Sequence, residues 1–220
     1  MKKRLTVIVL MSLVLLLSIS LVSAGFFSDF LDKLLGRDEI LGSPGLPNSE
    51  FGKIVVDSNW KTIELRNTYT SPVVIAKPLS YNEKEPAHVR LRNVNSNSFE
   101  IKIEEWDYLD GSHVSEEVSY LVMEEGVRYL EYGELKFQIG TWLSASNDNW
   151  VTISFPESFS TTPVIFAQMQ SVNDPAAVII RMKDIGKNSF KVKIQEEEIT
   201  RGYHDRELIG YLAIEPGFGV

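Results

Sequence analysis

The sequence predicts an all-β protein: two tandem antiparallel β-sandwich modules, preceded by a signal peptide and a short amphipathic helix. Three observations carry this. The 220-residue chain repeats itself at a spacing of about ninety residues, the repeated segments alternate apolar and charged side chains, and an apolar run behind three basic residues opens the chain. Alternation with period two is the mark of a strand with one buried and one wet face.

The opening comes first in the chain. Lys2, Lys3 and Arg4 precede an apolar run from Leu5 to Val22, and Val22-Ser23-Ala24 supplies small residues where signal peptidase cuts. This is the pattern of a secretory signal, with cleavage expected after Ala24. An uncleaved anchor is the alternative, because the run approaches the length of a short membrane span. Either way, everything downstream is expected to be secreted or held at the cell surface. No Cys occurs anywhere, which excludes lipoprotein attachment, disulfides and Cys-type metal centres.

Residues 25–37, GFFSDFLDKLLGR, place Phe26, Phe27, Phe30, Leu31, Leu34 and Leu35 at helical spacing. A short amphipathic helix follows from this, lying on a membrane, on a partner or on its own protein. The stretch that follows, Leu41 to Glu50, is rich in Pro and Gly and reads as a linker.

The repeat itself is dense. Trp60-Lys-Thr-Ile-Glu-Leu faces Trp150-Val-Thr-Ile-Ser-Phe, and Ser71-Pro-Val-Val-Ile-Ala faces Thr162-Pro-Val-Ile-Phe-Ala. Asn97-Ser-Phe-Glu-Ile-Lys-Ile faces Asn188-Ser-Phe-Lys-Val-Lys-Ile, and Tyr120-Leu121 faces Tyr211-Leu212. Agreement over some seventy residues shows a duplication. Phe99, Ile101 and Ile103 alternate with charges, as do Phe190, Val192 and Ile194. Val73–Ala76 and Val164–Ala167 are continuous apolar runs and are expected to be covered on both sides. Asn95–Ser98 and Asn188–Ser189 are turn clusters between strands. The organisation is therefore 1–24 signal peptide, 25–50 amphipathic helix and linker, 51–133 first β-sandwich repeat, and 134–220 second repeat.

This order of features resembles the H-type lectin domain. The matching pieces are an aromatic-led strand, Ser-Pro-Val-Val or Thr-Pro-Val-Ile, an Arg-bearing strand, the Ser-Phe-x-Ile/Val-x-Ile strand and a terminal Tyr-Leu strand. The resemblance implies a compact six-stranded antiparallel sandwich, sugar binding and frequent trimer formation. That family has Trp in its last strand where this chain has Tyr120 and Tyr211, and its sugar contacts do not transfer residue by residue. The segments also resemble repeats of large microbial surface proteins.

Charge limits the partners. Without residues 1–24 the chain holds 19 Lys and Arg against 30 Asp and Glu, a net of −11. Nucleic acid needs clustered basic residues and is excluded as a partner. Glycans or neighbouring surface proteins remain, an oligomer is possible, and membrane contact is open only to residues 25–37.

The chemistry-bearing pattern shared by both copies is His-x-x-Glu, His113 with Glu116 and His204 with Glu207, behind the equivalent Glu105 and Glu196. One His and two carboxylates can bind a divalent cation, which makes Glu105, His113, Glu116, Glu196, His204 and Glu207 the metal candidates. Alternatively each His bonds a nearby carboxylate and pins its loop to the sandwich. Residues three apart on a strand face opposite ways, so joint action requires a loop between them. Arg90 and Arg181 are expected to pair with Glu105 and Glu196 across neighbouring strands.

Trp106 and Tyr108 lie in an acidic loop that the second copy does not reproduce, and aromatic faces beside carboxylates suit a sugar ring. The ligand-binding candidates are thus Arg90, Trp106, Tyr108, His113, Glu116, Arg181, His204 and Glu207. There is no nucleophile elbow, phosphate loop or Cys nucleophile, so no catalytic residue and no cofactor is expected. The sequence points to a non-enzymatic binding protein, lectin-like in adhesion, with a structural envelope or self-assembling surface protein as the alternative.

Overall fold

The computed structural model describes residues 48–130, 135–145, 149–197 and 203–216. The expected signal peptide, the amphipathic segment and most of the linker lie outside these residues. Leu46–Val220 forms a compact unit, and its apolar clusters are built entirely from its own residues. Every described element is a strand, and every pairing is antiparallel.

The first repeat contains β1 (Ser49–Val56), β2 (Lys61–Glu64), β3 (Pro72–Leu79), β4 (Ala87–Arg92), β5 (Ser98–Glu105) and β6 (Glu116–Glu124). They form two three-stranded sheets, ordered β1-β6-β3 and β2-β5-β4. After β7 (Gly126–Leu130), the second repeat runs through β8 (Leu135–Leu143), β9 (Val151–Ser154), β10 (Val164–Met169), β11 (Val178–Lys183), β12 (Ser189–Glu196) and β13 (Leu208–Ile214). Its sheets are β10-β13-β8-β7 and β11-β12-β9. Strand for strand, β8 to β13 reproduce β1 to β6. β7, on the first-repeat side of the expected boundary at 133, instead pairs with β8 of the second repeat.

The alternation read in the sequence sets the packing. Phe99, Ile101 and Ile103 enter one core and Phe190, Val192 and Ile194 the other, while the residues between them stay partly exposed. The β4–β5 and β11–β12 connections turn the same way. Asn93 and Asp184 hold positive φ angles of 50° and 52°, a conformation that Asn and Asp tolerate better than most residues. Asn95 and Gly186 each donate a backbone bond across their turn to Ser98 and Ser189.

Gly52 and Gly140 stand opposite the inward Tyr120 and Tyr211. A Cβ at either would lie 2.8 Å from the phenol oxygen, so glycine lets each ring cross the neighbouring strand. Trp60 is covered by the Arg92 guanidinium at 4.1 Å and Trp150 by the Lys183 ammonium at 4.3 Å, the same cation–π contact in both copies.

A third apolar cluster joins the repeats. Val73 and Met123 from the outer face of sheet β1-β6-β3 pack on Phe137, Ile139 and Leu212 from the outer face of sheet β10-β13-β8-β7. The two surfaces are not equivalent: the first repeat brings Val73 of β3 and Met123 of β6, and the second brings Phe137 and Ile139 of β8 with Leu212 of β13. One expectation is corrected as a result. Val73–Ala76 is covered on both sides as expected, but in the second copy Val164 and Phe166 remain 48% and 49% exposed.

Candidate functional site

The loops that lead into β6 and β13 gather the chemistry-bearing residues. In the first repeat, His113 lies on the irregular stretch between β5 and β6, and Glu116 is the first residue of β6. The break from strand geometry brings residues three apart together. His113 Nδ1 is 3.1 Å from Glu105 and 3.5 Å from Glu83, and Nε2 is 3.5 Å from Glu116. The second repeat keeps this arrangement, with Asp174 in the place of Glu83. His204 Nδ1 is 3.3 Å from Glu196 and 3.6 Å from Asp174, and Nε2 is 3.3 Å from Glu207. Each imidazole is thus buried among three carboxylates, and Glu83 and Asp174 are members of the set that the spacing in sequence did not reveal.

The carboxylates are themselves engaged. Glu116 accepts the Ser80 hydroxyl and the backbone N–H groups of Asn82 (2.7 Å) and Glu83 (3.2 Å). Glu207 accepts the Ser171 hydroxyl (2.5 Å), Asn173 N–H (2.8 Å) and Asp174 N–H (3.3 Å). The Asn82 and Asn173 side chains return bonds to Ser115 and Arg206 carbonyls. A carboxylate that accepts several donors keeps its charge even when buried. Burial pushes both carboxyls up, but these bonds and the facing imidazoles outweigh it and hold Glu116 and Glu207 below the ordinary carboxylate range. Burial likewise pushes His204 down, yet its bond to Glu207 and the charges of Asp174 and Glu196 prevail and raise it.

Glu83, Glu105 and His113 present ligand atoms within 4.8 Å of one another, as do Glu85, Glu105 and Asp110. The first set contains the expected candidates Glu105 and His113, and the second adds Glu85 and Asp110. Glu105 also accepts the Gly111 N–H at 3.0 Å, and Gly111 takes a positive φ of 77° that shapes this loop.

The arginines differ from expectation and from each other. Arg90 pairs with Glu104 at 3.1 Å rather than Glu105, since Glu105 turns toward His113. Its guanidinium crosses into the second repeat, donating to the carbonyls of Ala176 (3.1 Å) and Asp174 (3.2 Å) and lying 3.9 Å from Glu207. Arg181, the equivalent residue, stays exposed and donates to Gln195 at 3.2 Å, not to Glu196. Glu104 sits among His88, Arg90 and Lys102. Burial raises its carboxyl, but these partners outweigh that and hold it at about 2.

Trp106 is half-buried with its ring centroid 5.4 Å from that of His88, while Tyr108 is exposed. Asp107 between them bridges the repeats, its N–H donating to Glu197 (3.0 Å) and its carboxylate accepting Ala177 N–H (3.2 Å). Two glutamines complete the junction. Gln170 accepts from Val74 N and donates to Val74 O, both at 2.8 Å, and Gln168 donates to Val89 O at 3.1 Å. In the first repeat these positions are Lys77 and Leu79, so the junction residues are marked in sequence by divergence between copies. Beside the junction runs an apolar groove of about 630 Å³, with Ile75 and Leu121 on one wall and Phe166, Ile180 and Met182 on the other.

Of the expected ligand residues, the structure groups His113 with Glu116 and His204 with Glu207, brings Arg90 to Glu207, and leaves Tyr108 and Arg181 on the surface. No family model and no solved structure matches the chain. The chain is similar to a protein named halomucin from Haloquadratum walsbyi, 37% identical over 199 residues, and it spans 81% of this chain but only 2% of that protein's length.

Proposed function

We propose that this chain is a non-enzymatic protein, exported to the cell surface or beyond it, whose paired repeats act by contact with neighbouring surface proteins. One observation carries the reading. The His and Glu residues of both His-x-x-Glu loops are buried and bonded within their loops, whereas the groove beside the junction is lined mainly by apolar residues of both repeats. Groups engaged in this way hold loops in place, and apolar concave surface is where a partner gains most from leaving water. The apolar N-terminal run with its small-residue site and the similarity to halomucin support export. On this reading His113, Glu116, His204 and Glu207 are loop pins, not ligands to a substrate or ion.

Fractionation of cells producing a C-terminally tagged chain tests export. Recovery in the envelope or medium, with Gly25 as the new N-terminus, is the expected result, and a chain confined to the cytosol overturns it.

A second reading, lectin-like carbohydrate binding, is favoured by Tyr108, exposed beside Asp107 and Asp110 in the loop where the copies differ. Binding on a glycan array that is lost in Tyr108→Ala supports it, and an array without signal removes it.

A further inference from the structure

We infer that the open edge of the second repeat, formed by Val164 and Phe166 of β10 and Arg181 of β11, docks the first repeat of a second copy of this chain. This rests on the contact-making function proposed above and names the partner.

The argument is the asymmetry of the junction inside one chain. Val73 is 1% exposed and Val164, its equivalent, 48%. Ile75 packs at the junction cluster while its equivalent Phe166 faces solvent. Arg90 is 0% exposed and bonded into the second repeat, and Arg181 is on the surface. The complementary side shows the converse. Ile139 on β8 is 2% exposed, and Phe51, at the same place on β1, is 79% exposed. Each repeat therefore carries two half-surfaces that fit each other, and one chain joins only one such pair. A contact between two different patches is heterologous, and a heterologous contact repeats wherever both patches remain open.

The apolar groove beside the junction takes Ser119 from β6 and Phe166 from β10, so each open half reaches its edge. Charge fits as well. Where Arg90 meets the backbone at Asp174 and Ala176, Arg181 of a neighbouring copy would meet Glu83 and Glu85, with Glu116 in the place of Glu207. The first repeat lacks the two reaching glutamines, having Lys77 and Leu79, and has Ser119 where Gly210 permits close approach. The contact between copies is therefore weaker than the one within the chain, and reversible.

Sedimentation of the compact unit, residues 46–220, across a concentration series reads the association. Mass rising with concentration is expected. Phe166→Asp and Phe51→Asp, at exposed positions outside all three cores, should each weaken association at least tenfold with unchanged melting. Mixing the two variants should restore a one-to-one complex, because each retains the half-surface that the other lost. A wild-type unit that stays monomeric overturns the inference, as does a mixture that fails to associate. Those failures leave export and surface location standing, since these are read by fractionation.

Discussion

Arg90 of the first repeat and Glu207 of the second lie 3.9 Å apart with both side chains fully buried. Glu207 also pins its own loop through Ser171, Asn173 and Asp174. Loop anchoring and repeat docking therefore meet at one carboxylate.

Removing the guanidinium should show this. Arg90→Ala leaves Glu104 and Glu207 with less compensation in a buried setting, a change that costs about 3–5 kcal/mol. Arg181→Ala removes an exposed contact with Gln195 and should stay within about 0.5 kcal/mol. Urea unfolding of the two variants side by side is the measurement. Equal losses would contradict the asymmetry.

The His204 cluster gives the alkaline side of the stability profile its slope. Its folded-state value is raised above the ordinary 6.5, so its contribution is complete below 6.5 and is lost as pH rises through the raised value. Melting midpoints should fall over that interval, and His204→Gln should flatten the fall. Glu207 acts on the other limb. Its lowered value makes its contribution complete above the ordinary 4.5 and lost as pH drops through the lowered value.

Glu104 extends the acid limb further. With its carboxyl held at about 2 against an ordinary 4.5, its contribution persists above 4.5 and disappears between there and pH 2. Glu104→Gln should be less stable at neutral pH and should lose less stability than the parent on acidification to pH 2. Circular dichroism across that range reads both.

Close approach at the junction can be blocked sterically. A Cβ on Gly210 would stand 2.7 Å from Val73 Cγ1 and 2.9 Å from Gln170 Cδ, so Gly210→Val should cost about 1–3 kcal/mol through overpacking. Ser119→Val, at the equivalent place on the uncovered face, should change stability by less than about 0.5 kcal/mol. Thermal melts should report the loss for Gly210→Val alone.

The duplication was legible because sandwich strands write their burial with period two. Phe99-x-Ile101-x-Ile103 and its counterpart needed no tertiary information. The His-x-x-Glu loops were legible as a recurring pattern, but their carboxylate partners Glu83 and Asp174 were not, since the chain returns to those loops from about thirty residues away. Arg90 meets Glu104 rather than Glu105 for a related reason. Cross-strand register gives neighbours on one sheet, and the partners that decide its role, Ala176 and Glu207, belong to the other repeat. Symmetry in sequence also concealed asymmetry in space, because equal residues were given equal surroundings. The replacement of Lys77 and Leu79 by Gln168 and Gln170, and of Ser119 by Gly210, marks the junction in the sequence, and its meaning requires the fold.

Gln170 holds the junction through the main chain of Val74, not through its side chain. Position 74 can thus drift among apolar residues of fitting size without loosening the bond, while position 170 tolerates only a side chain that both donates and accepts at that reach. Aligned relatives should therefore keep Gln at 170 with no compensating change at 74. A search for pairs of positions that vary together would miss one of the tightest couplings in the molecule.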